Sequence, residues 1–447
     1  MKLMEAELRE RVRRVMPGVR TDLERLVRIP SVSAKTYPQE PLERSAECVA
    51  EILATSGVAA RVLRHPGARP AVVGHVAGPP RAKRVLLYAH HDVQPPGSDA
   101  DWTSPPFEPA EREGRLYGRG VADDKAGVLA HAAALAVWDG KPPVGVSFFI
   151  EGEEESGSDH LRLFLEAERE LLRADAVVIA DGGNWRIGQP ALTTSLRGGM
   201  RAVLEVRTLD HAVHSGEYGG LFPDAITVLA RVLATLHDDE GRVAVPGLVH
   251  GDADPLDLTE AELREYTGAR PGLRLMGEGT LTARLWMQPA IAVLAVDAPP
   301  VREAANRIVP VARAKIGLRV PPGQDTRAAM RALTDHLLSH VPWGAEARVM
   351  PESIGEPFVT QLEGRAYQGM RRALAAAWGV PAVDIGTGGS IPFLAHFAEV
   401  FPGAELLVTG VGDPASNAHS EDESLHLGDF ERACLAEALF FDFLARA

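Results

Sequence analysis

The sequence is poor in cysteine, in positive charge and in long apolar runs, and each shortage excludes a class of protein. Only two of the 447 residues are cysteine, which excludes a disulfide-dense scaffold and a zinc cage made of thiolates. Acidic residues outnumber basic ones by 61 to 47, for a formal net charge of −14. Nucleic acids and anionic membranes need a basic surface, so neither is an expected partner.

No apolar run approaches the roughly 18 residues of a membrane span. The N-terminal segment is charged throughout and lacks the apolar core of a signal peptide. We therefore expect a cytoplasmic protein. Hydrophobic residues make up 45% and charged residues 24% of the chain, which is ordinary for a folded globular protein. At roughly 100–200 residues per domain, the length predicts two or three domains.

Short apolar runs alternate with helical patterns over much of the chain. Continuously apolar runs are typical of strands buried on both faces, and their alternation with helices predicts an α/β domain with a mostly parallel sheet. The predicted strands are 71–77, 84–89, 145–150, 176–180 and 404–410, and the predicted helices are 5–28, 41–56, 125–138, 158–172 and 361–378. Ser158 or Asp159 is the expected cap of the helix over 158–172.

A different pattern fills residues 200–352. Strand and helix signals there have the order β-α-β-β-α-β, which predicts a ferredoxin-like α+β domain. We interpret it as an insertion, so that residues 1–199 and 353–447 form one discontinuous domain. The strands of the insertion are 201–209, 290–295, 312–320 and 346–352, and its helices are 224–237 and 326–341.

Imidazoles and carboxylates come directly after several strands of the α/β domain. Ligands bind outside the carboxyl ends of the strands in such sheets, so these side chains are expected to meet at one edge. They belong to His90-His91-Asp92, Asp123-Asp124, Glu153-Glu154-Glu155, Asp181 and the segment around His419. Each segment alone is ordinary: an acidic turn, a helix N-terminus or a loop histidine. Their placement at successive strand ends favours a shared site.

Crowded carboxylates repel each other unless a cation lies among them. Imidazoles and carboxylates without thiolates suit Zn²⁺, Mn²⁺ or Co²⁺, and four or five such ligands can hold two metal ions. A carboxylate that is not a ligand could then move the proton of an activated water. Within Glu153–Glu155, one residue could coordinate while its neighbour does this. Asp92 is placed to orient the imidazole of His90.

The sequence resembles the M20 metallopeptidases, and most closely their dipeptidase branch, which includes the carnosinase-like enzymes. The resemblance extends over nearly the whole chain, in the order of the family. Its motifs are LLYAHHDVQPPG (86–97), LYGRGVADDKAG (116–127), EGEEESGS (151–158), VIADGG (178–183), HSGEYGG (214–220), IGLRVPPGQD (316–325), GTGGSIP (386–392) and NAHSEDE (417–423).

The resemblance implies a role for each matching residue. Two divalent ions, Zn²⁺ first with Mn²⁺ or Co²⁺ as alternatives, would be held by five ligands, with Asp123 bridging. Glu154 would be the general base and acid, with Asp92 orienting His90. The insertion would be a lid and dimerisation domain, and its His214 would reach the active site of the other subunit in a homodimer. Arg319 and Ser390 would bind the substrate's free carboxylate, and Asn306 a further part of the substrate. The five ligands would be His90, Asp123, Glu155, Asp181 and His419.

We therefore predict a dinuclear metal-dependent dipeptidase for substrates with a free C-terminal carboxylate. Two alternatives stay open: an N-acyl amino acid deacylase of the desuccinylase or deacetylase type, and a catalytically silent binding relative. Two positions depart from the family pattern. His91 stands where relatives often have a residue that is not a ligand, so a switch in ligation from His90 is open. Arg307 replaces a smaller polar residue, which bears on the choice of dipeptide.

Overall fold

The computed structural model describes residues 2–389 and 393–446. Helices are numbered in chain order. They are α1 Lys2–Val27, α2 Glu40–Thr55, α3 Lys125–Val137, α4 Leu161–Ala167, α5 Arg169–Leu172, α6 Ser215–Tyr218, α7 Ala225–Ala234, α8 Glu260–Thr267, α9 Leu281–Trp286, α10 Thr326–Ser339, α11 Arg365–Trp378, α12 Leu394–Val400 and α13 Leu427–Ala445. Among the described residues, no helix is both long and apolar enough to span a bilayer.

Strands are numbered in the same way. They are β1 Arg61–Leu63, β2 Ala71–Val76, β3 Arg84–His90, β4 Ala110–Arg112, β5 Arg115–Tyr117, β6 Gly145–Glu151, β7 Ala176–Ile179, β8 Ala191–Leu196, β9 Gly198–Arg207, β10 Val213–His214, β11 Ala290–Asp297, β12 Arg307–Ile308, β13 Val311–Val320, β14 Glu346–Gly355, β15 Phe358–Val359, β16 Val383–Thr387, β17 Glu405–Val408 and β18 Ser424–His426.

The chain divides into two compact units. The first contains Met1–Thr194, Thr360–Ile385 and Phe393–Ala447, and the second contains Ser195–Val359 and Gly386–Pro392. The largest sheet has the order β1-β2-β6-β3-β7-β17-β8-β15, with β16 also paired to β8. A small antiparallel sheet, β18-β5-β4, stands apart from it.

The predicted α/β fold is confirmed, but the large sheet is mixed. Parallel pairing joins β6, β3, β7 and β17 in the middle of the sheet. On either side of these four, β1, β2, β8 and β15 pair antiparallel. The connection from β1 to β2 is too short for a crossover helix, so this pair must be antiparallel. The four parallel strands are nevertheless the ones that carry the polar residues at their carboxyl ends.

Helices cover both faces of this sheet. On one face α1, α2, α3, α11 and α13 enclose a large apolar core. The opposite face carries a cluster of aromatic rings, in which Tyr88 of β3 contacts Phe149, Phe393 and Phe397. All four rings are fully buried, and each contributes about 1.5–3 kcal/mol through burial. Two apolar faces explain why these strands are continuously hydrophobic in sequence.

The predicted helix over 158–172 begins later than expected and is divided into α4 and α5. Ser158 has a φ of +55° and does not cap the helix. The backbone N–H of His160 instead donates to Glu153 Oε1 at 2.6 Å. The prediction of Ser158 or Asp159 as the cap was wrong because the carboxylate of Glu153, seven residues earlier, satisfies this N–H.

A buried ion pair fixes the helix layer to β3 next to the polar edge. His131 of α3 contacts Glu437 of α13 at 2.8 Å through Nδ1 and the carbonyl oxygen of Tyr88 at 2.9 Å through Nε2. Burial alone would lower the pKa of His131, but Glu437 raises it above its ordinary value. Both ring nitrogens face acceptors, so the imidazolium form fits this position. Tyr88 lies two residues before His90, so this pair supports the strand that positions the histidine.

The second unit contains the ferredoxin-like arrangement predicted for the insertion. Its sheet has the order β11-β13-β9-β14, and all pairs are antiparallel. Alternate residues such as Leu204 and Ile316 pack in the core formed with α7 and α10. The intervening residues, including Arg201, Arg313 and Arg319, lie on the other side of the sheet, which we call the open face.

Candidate metal centre

The four parallel strands bring the predicted polar residues to one edge of the first unit. His90 is the last residue of β3, and Asp181 lies two residues after β7. Glu154 and Glu155 lie in a 3-10 turn after β6. Asp123 lies in the loop before α3, and His419 lies in the loop after β17. The common direction of the strands explains why residues distant in sequence converge here.

Asp123 lies between the two histidines and contacts each through a different oxygen. His90 Nε2 lies 3.1 Å from Asp123 Oδ1, and His419 Nε2 lies 2.9 Å from Asp123 Oδ2. His419 Nε2 also lies 3.1 Å from Glu155 Oε2. On the other side, Asp181 Oδ1 lies 4.0 Å from His90 Nε2. The carboxylate of Asp123 is therefore shared by two groups of side chains.

Each group has the donors of a metal site. His90, Asp123 and Asp181 form one group, and Asp123, Glu155 and His419 form the other. Within each group the candidate ligand atoms lie within 4.8 Å of one another. Nitrogen and oxygen donors without a thiolate fit Zn²⁺, Mn²⁺ or Co²⁺. The donor set therefore fits two divalent cations with one shared carboxylate.

Burial and crowding strongly perturb the ionisation of this site. Burial raises the pKa of Asp181 well above its ordinary value, and the charge of Glu154 raises it further. Burial also raises the pKa of Glu154 to about 7, although His90 opposes the shift. Contacts with Asp123 and Glu155 raise the pKa of His419 to about 10. A divalent cation would reverse these shifts, because it favours ionised carboxylates and neutral imidazoles.

Glu154 belongs to neither donor group, although it faces the same space. Its Oε2 lies 4.0 Å from His90 Nε2, and its side chain is 21% exposed. The adjacent Glu155 has a side chain only 3% exposed and contacts His419. Neighbouring carboxylates thus occupy different places: Glu155 is within a donor group, and Glu154 is beside one and open to solvent.

Asp92 does more than the predicted orientation of His90. Its carbonyl oxygen lies 3.1 Å from His90 Nδ1, whereas its nearest carboxylate oxygen is 3.5 Å away. The carboxylate instead accepts hydrogen bonds from the backbone N–H groups of Glu154 and Glu155, at 3.2 and 3.0 Å. Asp92 therefore joins the segment after β3 to the glutamate turn after β6.

His91 lies outside both donor groups. Its Nε2 donates to the carbonyl oxygen of Pro70 at 2.9 Å, and its ring is fully buried. Burial lowers its pKa to about 4, so the ring is neutral near pH 7. A Cβ on Gly152 would lie 2.7 Å from His91 Nε2. Any larger residue at position 152 would therefore collide with the ring of His91. These contacts favour a structural role for His91.

Glu423 is a supporting residue that the sequence analysis missed. Its fully buried carboxylate accepts hydrogen bonds from the backbone N–H groups of Gly120, Ala122 and Asp123, at 2.8 to 3.1 Å. Arg119 Nη1 donates to the same carboxylate at 2.8 Å. Glu423 lies four residues after His419, so one side chain joins the loops of both residues. An acidic residue within the NAHSEDE motif was the available signal, but sequence alone does not show where it points.

The second unit places His214 and Asn306 next to each other. His214 in β10 pairs with Arg307 in β12, and the N–H of Ser215 donates to the carbonyl oxygen of Asn306 at 3.1 Å. His214 is exposed, and its Nδ1 accepts a hydrogen bond from the N–H of Gly216 at 3.1 Å. The proton of the neutral ring is therefore on Nε2, which makes no hydrogen bond with a described residue.

Arg319 lies near the end of β13, away from His214. It pairs with Gly199 of β9, whereas the start of β13, next to β12, pairs with the other end of β9 at Arg207. Arg319 is exposed. Ser390, its predicted partner in carboxylate binding, lies outside the described residues.

The family model described as peptidase family M20/M25/M40 matches residues 86–441. The cysteinylglycine-S-conjugate dipeptidase of Corynebacterium striatum is 37% identical over 390 residues, which cover 85% of each chain. The human Beta-Ala-His dipeptidase is 26% identical over 83% of this chain and 77% of its own. The fold matches a solved structure of the dipeptidase Dug1p from Saccharomyces cerevisiae, with a TM-score of 0.78, 23% identity and full coverage of both chains.

This chain belongs to peptidase family M20/M25/M40. The resemblance drawn from the motifs is thereby confirmed, and with it the assignment as a hydrolase of peptide bonds. The matched region contains every member of both donor groups. Divalent metal ions are the cofactors of this family's metallopeptidases, and both donor groups suit such ions.

The contacts of Glu423 predict that it supports metal binding without touching the metal. In Glu423→Gln, an amide N–H would face backbone N–H groups, so the Asp123 loop should shift. We expect metal affinity to fall about 10- to 100-fold, the usual effect of losing a residue behind a ligand. Calorimetric titration of the metal-depleted protein measures this. The exposed Glu421 of the same loop gives the control Glu421→Gln, which should bind metal as the wild type does, and equal affinity in both variants would contradict the prediction.

Proposed function

We propose that this protein is a dinuclear metal-dependent dipeptidase that works as a cytoplasmic homodimer, with residues 200–352 as its lid and dimerisation domain. The observation that carries the proposal is the sharing of Asp123 between His90 and His419, through its two oxygens. A single carboxylate between two donor groups suits a pair of metal ions. The cytoplasmic location rests on the sequence alone.

The five ligands in this proposal are those predicted from the motifs. His90 and Asp181 would hold one ion, Glu155 and His419 the other, and Asp123 both. Zn²⁺ is our first choice because two imidazoles accompany the carboxylates, and Mn²⁺ and Co²⁺ fit the same donors. When bound, such ions polarise a carbonyl group and lower the pKa of water toward neutrality.

Glu154 would move the proton in peptide hydrolysis. Glu154 lies beside the donor groups without belonging to either and keeps 21% of its side chain exposed, so its carboxylate is placed to accept a proton and later release it. Glu154 Oε2 would take the proton of the attacking water and give it to the nitrogen of the leaving amine as the C–N bond breaks. Asp92 would hold the backbone of Glu154 in place, as its hydrogen bond at 3.2 Å indicates.

The substrates in this proposal are dipeptides with a free C-terminal carboxylate. Arg319 has no carboxylate partner among the described residues, which leaves its guanidinium for a ligand, and Ser390 is its predicted companion. Cysteinylglycine-type dipeptides are the first substrates to test, because a relative 37% identical is a cysteinylglycine-S-conjugate dipeptidase. The N-acyl amino acid deacylase is not favoured, since the bacterial and human relatives are dipeptidases.

The geometry of the second unit supports a dimer in which each active site uses both chains. Val311 and Arg319 lie at opposite ends of β13, and eight residues of strand span about 26 Å. His214 lies at the Val311 end, because β10 pairs with β12. An extended dipeptide is only about 7 Å long, so His214 and Arg319 of one chain do not reach the same substrate. His214 of one chain would therefore act with Arg319 of the other, donating Nε2–H to the developing oxyanion.

A hydrolysis screen tests the proposed function directly. Metal-depleted protein should be inactive, and adding Zn²⁺, Mn²⁺ or Co²⁺ should restore cleavage of Cys-Gly, S-substituted Cys-Gly and other dipeptides. N-acetyl and N-succinyl amino acids form the comparison set. Product analysis by mass spectrometry measures both. Preferred cleavage of the N-acyl compounds, or activity that survives metal depletion, would contradict the proposal.

The role of Glu154 predicts a separation of metal binding from turnover. Glu154→Gln keeps the shape of the side chain but cannot take a proton, so kcat should fall by at least about 10²–10⁴-fold. Metal content, measured by mass spectrometry of the purified variant, should remain two ions per chain. As the control, Glu155→Gln should lose metal as well as activity. Full turnover in Glu154→Gln would remove Glu154 from the mechanism.

Mixed variants test the two-chain active site. His214→Ala and Glu154→Gln should each be inactive alone, because each lacks a group needed at every site. Equal mixing with subunit exchange makes about half of the dimers mixed, and one of the two sites in each mixed dimer regains both groups. About a quarter of wild-type activity should therefore return. Light scattering establishes the dimer. A monomer in solution, or a mixture without activity, would contradict the arrangement.

A second mixture tests the pairing of His214 with Arg319. His214→Ala mixed with Arg319→Met should also regain about a quarter of wild-type activity, because one site of the mixed dimer then has both side chains, one from each chain. If both side chains came from the same chain, each site of the mixed dimer would lack one of them. The mixture would then stay inactive, and the proposed pairing would be wrong.

A further inference from the structure

Arg197 is a buried arginine whose charge has no carboxylate partner among the described residues. It precedes β9 and is only 8% exposed. Its Nη1 donates to the carbonyl oxygens of Gln288 at 3.2 Å and Arg284 at 3.5 Å. Its Nε–H is buried and has no hydrogen-bond partner. Buried guanidinium groups are normally paired, so this one calls for a ligand.

The register of the sheet places Arg197 beside Arg319. Gly199 of β9, Arg319 of β13 and Ala290 of β11 form one row across three strands. Arg197 and Gln288 lie two residues before Gly199 and Ala290. Gly199 and Arg319 are paired on the open face, and Arg197 lies directly before β9, at the same end of the sheet. β13 lies between β9 and β11, so the hydrogen bond from Arg197 to Gln288 places the guanidinium just beyond the end of β13. Arg319 is near that end of β13.

The edge of the Arg197 guanidinium formed by Nε and Nη2 makes no hydrogen bond with a described residue. The bonds to backbone carbonyls use Nη1, which leaves the edge formed by Nε and Nη2. This edge presents two parallel N–H groups, the fork that binds a carboxylate through both oxygens. Gly388 borders it, since a Cβ at that position would lie 2.6 Å from Nη2. A glycine at position 388 therefore leaves room for the guanidinium.

The surroundings add positive charge. Arg201, two residues after Gly199, also lies on the open face, and no described carboxylate pairs with Arg197, Arg201 or Arg319. Burial lowers the pKa of Arg197, and the positive charge of Arg319 lowers it further, to about 10. Uncompensated guanidinium groups in a chain of net charge −14 indicate an anion site.

We propose that Arg197 is a second binding group for the carboxylate that Arg319 recognises, so that two guanidinium groups hold the C-terminal carboxylate of the dipeptide. This rests on the proposed dipeptidase function. Arg197 contributes the two-pronged contact from its Nε–Nη2 edge, and Arg319 contributes the exposed charge. The site selects substrates that end in a free carboxylate over those that end in a neutral amide.

A comparison of a dipeptide with its C-terminal amide tests the proposal. For the wild type, kcat/KM should be much higher for the free acid. In Arg197→Met this preference should fall at least about 10-fold, because the KM for the acid rises while cleavage of the amide stays within about twofold. Arg197→Lys keeps the charge but not the fork and should lie between the two. Arg207→Gln, on the same face at the other end of β9, should keep the wild-type preference.

A purely structural role gives a different result. If Arg197 serves only to bind the carbonyl groups at the end of α9, Arg197→Met should lower cleavage of acid and amide equally and lower the melting temperature. That outcome would overturn the proposal. If the wild type cleaves no dipeptide, the proposed function fails on its own. Calorimetric binding of the intact acid and amide to wild type and Arg197→Met then decides on the arginine site, and equal loss of both ligands would overturn it.

Discussion

The arrangement of the first unit depends on one carboxylate, Asp123, held between two imidazoles. Its oxygens lie 3.1 Å from His90 and 2.9 Å from His419, two residues that are 329 positions apart in the sequence. Such a group is costly to bury unless every charge has a partner. The loops around Asp123 must therefore be held in place by residues from other parts of the chain. Two buried carboxylates supply many of these contacts.

Those carboxylates act on backbone N–H groups. Glu423 binds three N–H groups of the Asp123 loop, and Asp92 binds the turn that carries Glu154 and Glu155. A backbone contact fixes the position of a loop whatever the ionisation of the side chains that it carries. In the proposed mechanism, the side chains of the donor groups are thereby left free to coordinate metal ions, and that of Glu154 to move a proton.

Periodicity and spacing were enough to predict the parallel core of the large sheet, the ferredoxin-like unit and the polar residues at the strand ends. Prediction failed where a distant side chain decides the local structure. Glu423 was missed because its function lies in its contacts with the loop around Asp123, some 300 positions earlier. The start of α4 was misplaced for the same kind of reason, since Glu153 replaces the expected serine cap. Local patterns carry no information on such contacts.

In the proposed dimer, the two ends of β13 in the second unit have different tasks. A strand of ten residues is about 33 Å long, far more than a dipeptide requires. His214, in the separate β10–β12 pair, lies near one end, and Arg197 and Arg319, which have no carboxylate partner among the described residues, lie near the other. In the function proposed above, a donor and a carboxylate clamp so far apart would meet on one substrate only if different chains supply them. Under this proposal the length of the sheet links substrate recognition to assembly, because a monomer would retain the clamp and lose the donor.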